Sequence, residues 1–105
     1  IDAGSSGSAD VMTRTLRVLG ELAGDADAAL GFAAALYAVA EHADASMCDG
    51  DREGAVAALD AVGNAIPTAK IVLKRAAATA ELGAANALTA VVIVRALELV
   101  ATRLG

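Results

Sequence analysis

Apolar residues recur three and four positions apart along most of this chain, and no run of residues alternates with the two-residue period of a half-buried strand. Val11, Met12, Leu16, Val18, Leu19 and Leu22 make a broad apolar stripe, with Asp10, Thr13, Arg14, Arg17, Gly20 and Glu21 opposite. That pattern predicts an amphipathic surface helix over about 9–23, capped by Ser8 or Asp10 and stopped at Gly24. Asp25 or Asp27 then caps a second helix over about 26–44. Its first part, Ala28 to Ala40, has no charged residue and is apolar on every side. A segment of that kind is normally surrounded by others, so it is expected to be the central core helix.

Asp51 is placed to cap a third helix over about 52–65, with Val56, Leu59, Val62 and Ile66 inward and Glu53, Asp60 and Asn64 outward. Pro67 closes it and opens a fourth helix over about 67–82, because proline costs nothing in a first turn. Ile71, Val72, Leu73 and Ala76 are expected inward there, and Lys70, Lys74 and Arg75 outward. Gly83 predicts a break and Asn86 a cap for a fifth helix over about 87–104. Leu88, Val92, Ile93, Leu97, Val100 and Leu104 share one side of it, leaving a narrow polar strip of Arg95, Glu98 and Thr102. The alternative is one bent helix from Pro67 to Leu104, since a lone glycine inside a helix costs only about 1 kcal/mol. The expected fold is all-α: a compact single-domain bundle of four or five short helices, the second and last most buried. Residues 1–8, small and Gly/Ser-rich, are expected to be a flexible leader or an expression remnant.

Composition sharpens this. Phe32 and Tyr37 are the sole aromatics among 105 residues, so Ala, Val and Leu must fill the core and helices must approach closely. There is no aromatic platform on which a base or flat cofactor could stack. The net charge of −5 disfavours nucleic acid, whose binding depends on neutralising phosphate. Charge is also uneven: nine acids face Arg52 alone from Glu21 to Asp60, whereas five bases face Glu81 and Glu98 from Ala61 onward. Halves of opposite sign attract either within one fold or between two copies. The two most apolar stretches, 28–40 and 84–94, fall short of the roughly 20 residues a membrane span needs. No membrane partner is therefore expected, and one cysteine gives no disulfide; a cytoplasmic location follows as an expectation.

Gly24-Asp25-x-x-x-Ala29-Leu30 recurs as Gly50-Asp51-x-x-x-Ala55-Val56, the second copy running on through Leu59 and Val62 to Pro67. Over Gly50–Pro67 this resembles the second helix of a tetratricopeptide repeat. The copies stand 26 residues apart where that repeat needs about 34, and the preceding helix lacks its large apolar positions. A glycine stop followed by an aspartate cap, used twice, accounts for the recurrence.

Chemistry-bearing residues gather at Glu41, His42, Asp44, Met47, Cys48, Asp49 and Asp51. One His and one Cys six apart lack the paired spacing of zinc sites. Asp49-Gly50-Asp51 sets glycine between acids, unlike a calcium loop. A lone His excludes a di-iron bundle site, and no phosphate loop or oxyanion loop is visible. No cofactor, metal or catalytic residue is expected. The function expected is that of a non-enzymatic helical interaction or assembly module that self-associates as a homo-oligomer or binds another helical protein. Its candidate interaction face is Lys70, Lys74 and Arg75 meeting Glu41 and Asp44 of a second copy. The alternative is a small apolar-ligand binder, or minor enzyme, with a pocket between the second and fifth helices gated by Tyr37, His42 and Arg95.

Overall fold

The computed structural model describes the backbone of residues 3–78 and 84–104 and the side chains of 11–76, 78 and 86–102. Four α-helices follow one another: α1 (Ala3–Glu21), α2 (Ala26–Cys48), α3 (Arg52–Ala78) and α4 (Ala84–Leu104). The all-α expectation therefore stands, with four helices where four or five were expected. α2 and α3 each touch all the others, while α1 and α4 do not touch each other among the described residues. The bundle is thus a rhomb in section, with α2 and α3 in the middle and α1 and α4 at opposite edges. Its extents, 46 × 25 × 17 Å, fit that arrangement, since the 27 residues of α3 span about 40 Å at about 1.5 Å each.

Three boundaries depart from expectation. α1 begins at Ala3, so residues 3–8 of the expected leader are helical; extending a formed helix requires no new nucleus. α2 runs to Cys48 rather than to about 44, because the chain is closed later, by Gly50 in the left-handed region at φ 78°. There the Gly50 N–H donates to the Met47 carbonyl and the Asp51 N–H to the Ser46 carbonyl, satisfying carbonyls left open at the helix end. The largest departure is at Pro67, which lies inside α3 instead of dividing two helices. Its missing N–H removes the helical bond to the Gly63 carbonyl four residues back, but Gly63 and Pro67 are both exposed, so water can reach that group. The expected break at Gly83 lies outside the described residues. Asn86 is not the cap of the last helix, which begins two residues earlier.

The aspartate caps are where the sequence placed them. Asp25 Oδ1 accepts from the Ala28 N–H at 2.8 Å, and Asp51 Oδ1 from the Gly54 N–H at 3.0 Å. Asp51 therefore serves two helices: its backbone closes α2 while its side chain opens α3.

The core centres on Phe32, Leu16, Leu36, Val62, Val72 and Ile93, all essentially inaccessible, each worth about 1.5–3 kcal/mol on burial. Around them the inner surfaces of α2 and α3 are mostly alanine. On α3 the buried positions are Ala55, Ala57, Ala58, Ala61, Val62, Ala65, Ala69, Val72 and Ala76, while Val56, Ile66 and Ile71 face solvent. This corrects the assignment of those three residues to the core. Alanine faces let helix axes approach to the short end of the usual 8–10 Å range, which gains backbone dispersion contact along the whole helix. α1 is turned in the same way. Gly20, expected outside, is buried against α2 and α3, and Val11, Val18 and Leu22 are exposed.

Because α3 is continuous, Arg52–Ala76 becomes one helix long and apolar enough, by length and composition, to cross a membrane. Dividing the segment at Pro67 had hidden that. Its alanine side is packed against three helices, which gives a core helix reason to be this apolar.

Candidate functional site

The register of α2 against α3 decides which charged groups can meet. Ala26 and Ala29 share a cleft with Val72, Arg75, Ala76 and Ala78, and a Cβ on Gly54 would approach Ser46 Oγ at 3.1 Å. The two helices are antiparallel, with facing positions whose numbers add to about 100, as a three-residue turn between them requires. Glu41 and Asp44 therefore lie level with residues near 56–60 of α3. Lys70, Lys74 and Arg75 lie level with the start of α2. At least ten helical residues, roughly 15 Å of axis, separate the acidic pair from the basic group within one chain. The fold does not bring these candidates together. Lys74 and Arg75 are instead level with Asp25 and Asp27, and Arg75 and Asp25 line one cleft.

Lys70, Lys74, Arg75 and Glu41 are exposed, and Asp44 is half-buried. Tyr37 is half-buried and packs against the core cluster; His42 and Arg95 are exposed. α2 and α4 meet along the most extensive pairing in the bundle. Neither of the two described clefts includes Tyr37, His42 or Arg95. One, about 310 Å³, lies at the α2–α3 turn between Met47, Gly50, Arg52, Ala55, Val56 and Leu59. The other, about 400 Å³, opens at the far end among the start of α2, the end of α3 and Asn86. Among the described residues no three of His, Cys, Asp and Glu converge as ligands for an ion, and Cys48 is an exposed free thiol.

Large apolar side chains on the outside are the most distinctive surface feature. Val11, Val18 and Leu22 stand one or two turns apart on the outer side of α1, at 60%, 46% and 68% exposure. Leu88, Val91 and Val94 do the same on the first half of α4, where no charge interrupts Ala84 to Val94. Val56 and Ile71 lie on the outer face of α3. The outer face of α2, by contrast, is Gly31, Ala34, Ala38 and Ala45 with Glu41 and His42. The sequence set Val11, Val18 and Leu22 on the apolar stripe of the first helix and Val56 and Ile71 inward, so their exposure is the structure's own finding. The available signal was the three-and-four spacing of alanines from Ala55 to Ala76, which marks the true inner stripe of α3. No family model, curated protein or solved structure matches the chain.

Proposed function

We propose that the chain is a non-enzymatic helical assembly module that associates with further copies of itself. One observation carries this: larger apolar side chains point outward on α1, α3 and α4, and on α3 they do so while alanine takes most of the buried positions. Burying a Val, Leu or Ile is worth about 1.5–3 kcal/mol, so a helix such as α3, which leaves Val56 and Ile71 outside, gives up that energy unless something covers them. Isolated exposed apolar residues are ordinary, but stripes of them mark interaction surfaces. The acidic balance disfavours nucleic acid as that partner. Sedimentation velocity over a dilution series tests the reading. A concentration-dependent rise in mass supports it, and a clean monomer at high micromolar concentration refutes it.

A second reading, binding of a small apolar ligand, draws support from the cleft at the α2–α3 turn, whose about 310 Å³ lies at the small end of ligand-pocket sizes. A thermal-shift series with acyl chains and haem tests it, with Leu59→Arg in place of the intact cleft as control. No stabilisation by any of them counts against this reading.

A further inference from the structure

The outer face of α3 has a pattern that apolar exposure alone does not explain. Glu53, Val56, Asp60, Gly63, Pro67, Lys70 and Lys74 follow one another at spacings of three and four, and all are exposed. Residues so spaced form a single stripe along a helix. The stripe is acidic before Gly63 and basic after Pro67. Two such stripes laid parallel would set Asp60 against Asp60 and Lys70 against Lys70. Laid antiparallel, they set each acidic half over a basic half.

We propose that this face of α3 pairs with the same face of a second copy, antiparallel about a two-fold axis beside Gly63. The proposal rests on the self-association reading and names the surface that carries it. With the axis between Gly63 and Asn64, Val56 stands opposite Ile71 of the second copy, so the two most exposed large apolar residues of α3 are covered. Asp60 stands opposite Pro67 of the second copy, and Lys70 lies one turn further, about 4.5 Å along the axis and within reach of a lysine side chain. The axis brings together the two glycines, which carry no side chain to hold the helices apart. A Cβ built at Gly63 meets nothing within 4 Å in the single chain, so no packing inside the bundle calls for a glycine there. Self-complementarity is what a two-fold contact demands, since each residue must meet the image of its partner. One helix pair covers less than the roughly 800 Å² per partner of a standard interface, so the contact is weak and sensitive to salt.

Charge reversal tests it on the full chain. Lys70→Glu with Lys74→Glu makes one all-acidic stripe, and Asp60→Lys makes a basic one. Each variant alone is expected to raise the dissociation constant at least about tenfold, and an equimolar mixture to recover association. Gly63→Leu, whose Cβ meets nothing within 4 Å in the single chain, is expected to abolish association with helicity retained by circular dichroism. If the parent associates and all three variants associate equally well, the contact lies on another face: the α3 pairing is overturned while the self-association reading survives. Charge variants that weaken association without recovery on mixing also overturn it. A monomeric parent removes both readings together.

Discussion

Gly20 is where the packing makes its sharpest demand. It sits one residue from the end of α1, and a Cβ added there would run into Thr68 Cγ2 on α3 and lie 3.3 Å from Phe32 Cε1 on α2. Replacing a helical glycine by alanine ordinarily stabilises by up to about 1 kcal/mol, less at a helix terminus. Against that, forcing a methyl group into a filled site costs about 1–3 kcal/mol. Neither obstacle yields easily: Thr68 has a β-branched side chain on a helix, and Phe32 is at 0% exposure in the centre of the core. Gly20→Ala is therefore expected to destabilise by about 1–2 kcal/mol, a fall of roughly 4–16 °C in melting temperature for a domain of this size. The cause is separable by a double-mutant cycle. Thr68→Ala removes the obstructing methyl, and in that background Gly20→Ala should cost little or nothing, giving a coupling of about 1–2 kcal/mol. Thermal and urea unfolding followed by far-ultraviolet circular dichroism would measure all four proteins. An unchanged or raised melting temperature for Gly20→Ala refutes the close approach of α1 to α3. An equal cost with and without Thr68 refutes the assignment of that residue as the obstacle.

Phe32→Ala should be among the most damaging single substitutions, at about 3–5 kcal/mol, because Phe32 is the largest fully buried side chain; denaturant titration reads this directly. Gly50→Ala places a side chain in the left-handed region and should cost about 1–2 kcal/mol, whereas Gly63→Ala should raise stability by up to about 1 kcal/mol, so opposite shifts in urea midpoint check the pair. Asp51→Ala removes the acceptor for the Gly54 N–H and should cost about 1 kcal/mol, with amide exchange accelerated in the first turn of α3. Pro67→Ala returns a donor to the Gly63 carbonyl and should stabilise by up to about 3 kcal/mol; a loss of stability would show that proline is needed where it stands.

Local chemistry was legible wherever one residue's own properties decide the outcome. Asp25 and Asp51 cap because a carboxylate just before a helix accepts from its free N–H groups, whatever lies beyond. Gly50 closes α2 because it alone among its neighbours enters the left-handed region without strain. The all-α class followed from alanine and leucine dominance and the absence of alternating runs. Pro67 was misjudged because a local rule was applied without its surroundings: a helix held by packing along its length tolerates an unbonded carbonyl that water can reach. The α2–α3 register sets Glu41 and Asp44 apart from Lys70, Lys74 and Arg75 within one chain, so a meeting of the two groups belongs to a contact between copies, which no single-chain pattern fixes.

What the sequence determined by itself was therefore the helical class, the starts of α2 and α3 where Asp follows Gly, and the acidic-to-basic drift along the chain. Only the tertiary structure decided which way each helix faces. In an alanine-rich helix nearly every side is apolar, so a stripe of large residues and a stripe of small ones compete for the core. Helix-to-helix distance settles that competition, and distance belongs to the assembled bundle rather than to any one segment. Here α3 closed on its alanine stripe and α1 on Leu16 and Gly20. That choice put Val11, Val18 and Leu22 of α1, Val56 and Ile71 of α3, and Leu88, Val91 and Val94 of α4 on the outside.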